Sequence, residues 1–287
     1  MQPIIGIPAG FYHIFQYHTY DPYTVVSYFM DGDELIEAAR IFHRWGEKGF
    51  WRDEVLNYRG DTENMLAQGL TGSQQHHTNV FLGVREQMDI AQPGSDLQMF
   101  YWGKETGNVN RDVITHGAMS ISASSRNVEK ALQMYDLLRN DREIYMLFNH
   151  GFEGIDYIIN EDGTFGRPAG FDEATDGLGT NFWGGRMDEF EPVWDTWWPG
   201  RTAFLQHLDS IASDYPLGNF VFNNSSVSAE MSALGEVMAT RFPAIHFGKA
   251  GDPDRAVADL RDALRQAGFD RVIAEIQAQL DVYKEQR

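Results

Sequence analysis

Apolar residues recur with a helical period along several parts of the chain. The clearest case is a predicted helix that begins after Asp33 and ends at Gly46 or Gly49. Its apolar face consists of Leu35, Ala38, Ala39, Phe42 and Trp45. One apolar stripe of this kind predicts a helix that covers a core on one side only.

Further amphipathic helices follow. A short one is predicted from Asp61 or Thr62 to Gly69, another after Ser125 or Asn127, and a third over 142–151. The last third of the chain is predicted to be helical, with helices over 204–214, 228–242, 254–268 and 269–286.

Other segments have the pattern of strands and loops. The first twenty residues are predicted to form strand and loop pieces, 97–102 a strand, and 116–124 a buried strand of small residues. Alternating residues around Asp162-Gly163 predict a hairpin over 156–165. Residues 166–200, rich in glycine and tryptophan, predict an ordered loop region. Strands that alternate with helices, followed by a helical end, indicate an α/β fold.

Charge narrows the choice of partners. The 287 residues include 42 acidic and 23 basic ones, which gives a formal net charge of −19. Such a surface repels phosphate backbones and anionic lipid, so we expect no nucleic-acid partner. The absence of cysteine excludes disulfides and thiolate chemistry. No stretch approaches the ~18 apolar residues of a membrane helix, and we do not expect residues 1–20, which lack a basic start and a clean apolar core, to be a secretory signal.

Candidate catalytic and metal motifs are weak. The sequence contains no P-loop, dinucleotide fingerprint or nucleophile elbow, and neighbouring His76 and His77 lack the spacing of a helical metal site. We therefore expect no metal and no cofactor. A second hypothesis is a glycoside hydrolase, which needs two carboxylates in one cleft. The alternative interpretation, that the acids are solvated surface carboxylates, stays open beside it. The candidate acids are Glu153 with Asp156, and Asp188 with Glu189 and Glu191.

Loop aromatics are more informative. Indole faces stack on sugar rings while neighbouring amides and arginines bond hydroxyl groups, although packing beneath long loops is an equal alternative for each indole. The tryptophans concerned are Trp102, Trp183, Trp194, Trp197 and Trp198. Their nearness in sequence to polar side chains favours a polar, ring-shaped ligand.

One segment resembles a known family. Residues 117–166 resemble the family 1 extracellular solute-binding proteins of ABC importers in the order and spacing of a strand end, a capping asparagine, two helices and a hairpin. The matching positions are Ile121, Ser122, Ser125, Asn127, Glu129, Lys130, Ala131, Gly151, Glu153, Gly154, Tyr157, Asp162 and Gly163. Residues 63–69 and 267–284 are similar to a LipO-like lipoprotein subgroup. The resemblance covers roughly 21–286 and rests on motif order, since no single motif is diagnostic.

The resemblance implies a periplasmic-binding-protein-like fold whose two lobes close on a ligand. It implies a binder and not an enzyme, which captures a small extracellular ligand, a sugar or oligosaccharide, and delivers it to ABC permease subunits in the membrane. We expect a monomer. The full-length family is extracellular and anchored to the cell surface.

The chain departs from that family in length. Members begin with an export signal and most of the first lobe, so we expect this chain to be a C-terminal portion. By analogy, 1–117 and 166–287 form a nearly complete second lobe, and 118–165 are a remnant of the first. Such a remnant would leave an apolar edge exposed.

The family's contact positions cannot be carried over, because the loops diverge. From the residues themselves we predict a ligand site in which Trp102, Trp183 and His76 stack on or cap a ring. The predicted hydrogen-bonding partners of the ligand are Gln75 and Arg186.

Overall fold

The computed structural model describes residues 4–6, 14–18, 20–101, 103–104, 109–111, 118–180 and 182–286. The chain divides into two compact units. Unit 1 consists of Met1–Gly60, Glu105–Asn108 and Asp214–Arg287, and unit 2 of Asp61–Lys104 and Val109–Ser213. The assignment of residues to lobes by resemblance stays a prediction.

Unit 1 packs helices against a small sheet. Its strands β1 (Ile4–Gly6), β2 (Gln16–His18) and β3 (Asp21–Val26) pair antiparallel in that order. Its helices are α1 (Glu34–Glu47), α8 (Ser228–His246), α9 (Pro253–Gln266) and α10 (Phe269–Glu285). The helix after Asp33 and the three C-terminal helices are confirmed, and the expected strand and loop pieces are confirmed at 4–6 and 14–18, the rest of 1–19 lying outside the described residues.

The core of unit 1 comes from the predicted apolar stripes. Leu35 and Ala39 of α1 are buried, as are Val272, Ile276 and Leu280 of α10. Burial of these residues is the main source of helix stability in a folded protein. The prediction is wrong for Trp45, the last residue of the expected α1 face, which is 40% exposed.

Unit 2 has more loop and smaller sheets. Its helices are α2 (Thr62–Ala67), α3 (Thr78–Ala91), α4 (Val128–Asn140), α5 (Arg142–His150), α6 (Glu173–Asp176) and α7 (Arg201–Ile211). Its strands are β4 (Val109–Asn110), parallel to β7 (Ala212–Ser213), and β5 (Ile158–Ile159), antiparallel to β6 (Phe165–Gly166). The predicted helices α2, α4, α5 and α7 and the hairpin are confirmed.

Two predicted strands of unit 2 are wrong, and two helices were not predicted: α3, and the short α6 inside the predicted loop region 166–200. Residues 97–101 form no strand, and neither do 118–124, the described part of the predicted buried strand, which are mostly exposed. Apolar alternation cannot by itself make a strand, because the backbone also needs a neighbour to pair with. Thr78–Ala91 is a helix where no element was predicted.

Within the residues that the structure describes, no helix is both long and apolar enough to cross a membrane.

Candidate functional site

The first predicted pair, Gln75 and His76, lies in the loop between α2 and α3. The start of α2 holds this loop: Gln74 Nε2 lies 3.4 Å from Thr62 Oγ1, and His76 Nε2 lies 3.9 Å from Glu63 Oε1. Gln75 and His76 are exposed. The loop therefore presents an amide and an imidazole to solvent on a short, tethered turn.

The second predicted pair lies in one short segment. Trp183 belongs to a single 3-10 turn, Trp183–Gly185, and Arg186 follows it directly. The Tyr135 hydroxyl of α4 donates a hydrogen bond of 2.7 Å to the Gly184 carbonyl. Trp183 is 40% exposed, while Arg186 Nε donates to Asp188 at 2.7 Å.

Phe182, the residue before this turn, packs against α4 and α5. The Phe182 ring meets Phe148 edge-on at a centroid distance of 5.3 Å, and Tyr135 at 6.1 Å. A Cβ atom on Gly185 would lie 2.1 Å from the Phe182 ring, so any larger residue there would push that ring aside. The α4–α5 helix pair thus positions the indole and guanidinium of the predicted site.

Three other loop tryptophans are covered by arginines. The guanidinium carbon of Arg201 lies 3.9 Å from the Trp197 ring centroid, that of Arg167 lies 4.5 Å from Trp194, and that of Arg85 lies 5.1 Å from Trp198. Arg201 also pairs with Glu86 at 2.7 Å, and both side chains are about 15% exposed or less. Cation–π contacts of this kind occupy one indole face each. For Trp194, Trp197 and Trp198 the structure favours the packing alternative.

A buried polar cluster supports the same loop region. The Tyr145 hydroxyl donates to Glu191 and accepts from the Met187 N–H at 3.3 Å. Burial, followed by the bond to Glu191, raises the pKa of Tyr145 to about 12. His150 Nε2 lies 4.0 Å from Glu191 Oε2, and burial lowers the pKa of His150, with Arg167 adding to this and Glu191 opposing it.

Three of the five acids nominated for hydrolysis are engaged in structural contacts, and the other two, Glu153 and Glu189, are exposed. Asp156 is buried and accepts from the Phe152 N–H at 2.7 Å, Asp188 pairs with Arg186, and Glu191 accepts from Tyr145. Across the described part of the chain, no group of three His, Cys, Asp or Glu side chains could hold a metal ion.

The structure describes four of the five predicted ligand residues. Gln75 and His76 share one loop, Trp183 and Arg186 share one turn, and Trp102 lies outside the described residues. Sequence reasoning missed the positioning residues Tyr135 and Tyr145. Their signal was an aromatic residue with a hydroxyl on each of two consecutive predicted helices.

In unit 1, α8 and α9 border an open groove of about 550 Å³. Its walls carry both charges, with Arg241 and Arg255 beside Asp252 and Asp259. Of the predicted ligand residues that the structure describes, Gln75, His76, Trp183 and Arg186, none lines this groove.

Comparison with known sequences gives one domain and one relative. Residues 216–285 match a domain of unknown function, DUF3502. A carbohydrate ABC transporter substrate-binding protein of Streptococcus pneumoniae is 27% identical over 179 residues, which cover 57% of this chain and 33% of the relative. The chain thus spans about a third of the length of this curated relative.

Comparison with solved structures gives the fold. The N-glycan transport solute-binding protein of S. pneumoniae matches with a TM-score of 0.72 at 18% identity, covering 98% of this chain and 60% of that one. The same protein in complex with Man5GlcNAc matches with a TM-score of 0.58 at 16% identity, covering 96% and 59%. These similar proteins are named as binding proteins of transporters and not as enzymes. These comparisons confirm the resemblance seen in the sequence: over part of its length the chain is similar to a carbohydrate ABC transporter substrate-binding protein, and it has the fold of a solute-binding protein.

Proposed function

We propose that this chain is part of the solute-binding component of an ABC importer and helps to capture a sugar or oligosaccharide. The observation that carries the proposal is the fold match over 98% of the chain to a glycan-transport binding protein. The whole protein would work outside the cell and pass its ligand to permease subunits in the membrane.

Within unit 2 the chemistry of the predicted residues suits a neutral, hydroxyl-rich ligand. An exposed indole such as Trp183 offers an apolar face of the kind that sugar rings stack on. The guanidinium of Arg186 and the amide of Gln75 supply hydrogen-bond donors, and His76 adds a ring that caps or bonds. A net charge of −19 repels anionic ligands and leaves neutral ones unaffected.

A direct test uses the 287-residue chain and a panel of ligands. Calorimetry and thermal unfolding would be recorded with Man5GlcNAc, shorter mannose-containing glycans, maltose, and a peptide as a non-sugar control. A bound sugar at one hundred times its Kd stabilises the folded state by about 2.7 kcal/mol. We expect at least one sugar to raise Tm while the peptide does not. Equal behaviour of every ligand and of buffer would refute sugar binding by this chain.

A further inference from the structure

The groove between α8 and α9 in unit 1 has the features of a second ligand site. Its volume of about 550 Å³ lies in the range of about 300–1,000 Å³ that is usual for small-molecule sites. Its lining, from Thr240 to Asp259, falls wholly within the segment that matches a domain of unknown function. The described residues predicted to bind sugar all lie in unit 2, so the groove is a separate candidate.

The loop between α8 and α9 is held in shape by α1. Gly248 and Gly251 have φ angles of +63° and +76°, a region that glycine adopts without strain. The backbones approach so closely that a Cβ on Gly46 of α1 would lie 2.7 Å from the Gly248 carbonyl oxygen. Ala250 and Asp252 of this loop line the groove. The contact with α1 therefore pre-forms part of the groove, as is usual for ligand sites.

The walls of the groove offer charges of both signs. Arg241 on α8 is exposed and, within the described part of the chain, makes no hydrogen bond or ion pair. On the side of α9, Asp259 meets Arg255 only loosely, at 3.8 Å. Asp252 accepts from the Arg255 N–H at 2.8 Å. Arg241 can therefore pair with a carboxylate of a ligand, and the two aspartates with an ammonium group.

A small recess next to the groove contains an unpaired polar atom. The recess shares Ile245 and Ala250 with the groove, is also lined by His43 of α1, and holds about 10 Å³. Among the described residues, the buried His43 Nδ1 has no hydrogen-bond partner, while Nε2 lies 3.5 Å from Glu47. Because Glu47 favours a proton on Nε2, Nδ1 is an acceptor. Buried polar atoms nearly always have a partner, so this end of the groove takes a hydrogen-bond donor.

We propose that the groove binds a small zwitterion, a free amino acid or a short peptide, with its carboxylate on Arg241 and its ammonium group at Asp252 and Asp259. Ala244 and Ala256 leave room for a small apolar side chain beside these charges. Other ligands suit the groove less. None of the described residues that line it is aromatic, so no ring stacks on a sugar or a base. Two aspartates and a net charge of −19 disfavour phosphate.

The first test titrates the isotope-labelled 287-residue chain with alanine and with dialanine, followed by nuclear magnetic resonance. N-acetyl-dialanine and dialanine amide are the blocked forms, and maltose is the sugar control. We expect saturable shifts of backbone amide signals over 240–259 with at least one zwitterion. Each blocked form should bind about tenfold more weakly or worse, because it lacks one charged group. Binding of dialanine without alanine would assign the site to peptides, and the reverse to amino acids.

The second test uses Arg241→Gln, with Arg265→Gln as the matched control. Arg265 is also exposed, lies on α9 outside the groove, and pairs with Asp262 at 3.1 Å. We expect Arg241→Gln to weaken the better zwitterion about tenfold or more and Arg265→Gln to leave its affinity unchanged. No saturable shift with either zwitterion, equal binding of the blocked forms, or equal losses in the two variants would overturn the inference. The proposal does not rest on sugar binding in unit 2, so either can fail alone.

Discussion

The buried hydroxyl of Tyr145 donates a hydrogen bond to Glu191, 46 residues further along the chain. This bond ties α5 to the loop that follows the Trp183–Gly185 turn. Removing this hydrogen bond tests how much the contact between the loop and α5 contributes to stability. We expect Tyr145→Phe to lower the free energy of unfolding by about 1–3 kcal/mol, because a nearly buried carboxylate loses its donor. Urea denaturation measures this loss.

Tyr157→Phe is the control for that substitution. The Tyr157 ring stacks on Phe165, and in the described residues its hydroxyl makes no hydrogen bond. We expect a change within about 0.5 kcal/mol. Equal losses in the two variants would contradict a specific role of the Tyr145 hydroxyl.

The second prediction concerns pH and His150. Because burial lowers the pKa of His150 in the folded chain, the unfolded chain binds its proton more readily. Its contribution to stability is therefore present above the unfolded pKa of about 6.5 and is lost as pH falls through the folded pKa. We expect His150→Gln to flatten the fall in stability between about pH 7 and pH 5.

Urea unfolding at a series of pH values measures this effect, with His246→Gln as an internal comparison. Burial also lowers the pKa of His246, which lies in unit 1. Nuclear magnetic resonance titration of the His150 ring should give a midpoint below that of the urea-unfolded chain. A midpoint at or above the unfolded value would contradict the prediction.

The third prediction concerns the pair of Glu86 and Arg201. Glu86→Ala leaves the guanidinium largely covered and without its carboxylate, so we expect a loss of about 3 kcal/mol. Arg201→Ala should lower the free energy of unfolding less in the Glu86→Ala variant than in the unmodified chain. A double-mutant cycle measures this difference. Asp259→Ala, which breaks an exposed pair with Arg255, should cost under about 1 kcal/mol. Additive effects at Glu86 and Arg201 would argue against coupling.

The fourth prediction compares two glycines of unit 2. Gly185→Ala would place a methyl group against the Phe182 ring, so we expect a loss of about 1–3 kcal/mol from overpacking. Gly83 lies inside α3 with nothing within 4 Å of a Cβ. Gly83→Ala should stabilise by about 0.5–1 kcal/mol, because alanine is the better helix former. Thermal unfolding should shift in opposite directions for the two variants.

The fifth prediction separates an indole that binds ligand from one that packs. Trp183→Ala should weaken the tightest sugar identified by calorimetry about tenfold or more, equivalent to about 1.4 kcal/mol. Trp197→Ala should lower Tm, because it removes the ring under Arg201. Unchanged sugar affinity in the Trp183 variant would remove that residue from the site.

The sequence predicted the helices that carry a continuous apolar stripe. In α10 the whole predicted stripe lies in or against the core, so pattern and packing agree, whereas in α1 Leu35 and Ala39 are in the core and Trp45 is exposed. In α3 the pattern is broken by Gly83 and by Arg85, an arginine buried through its pairing with Asp89, and no periodicity rule anticipates that. The predicted strand at 97–101 failed because pairing is a long-range property.

The candidate site was predictable in composition and less so in arrangement. Loop tryptophans were recognised as a group, but only three-dimensional contacts show that Trp194, Trp197 and Trp198 lie under arginines. Trp183 differs from them by its exposed indole. Sequence neighbours alone cannot reveal which guanidinium covers which ring, because Arg85 reaches Trp198 from far along the chain.

The contacts with arginine also affect how accessible each tryptophan is to a fluorescence quencher. A guanidinium on one indole face limits the approach of a quencher or a sugar to Trp194, Trp197 and Trp198. In the part of the chain that the structure describes, Trp183 in unit 2 and Trp45 in unit 1 are the more open indoles, each 40% exposed. With Trp45 replaced by phenylalanine, the quenchable emission of the described tryptophans would come mainly from the ring proposed to meet the ligand.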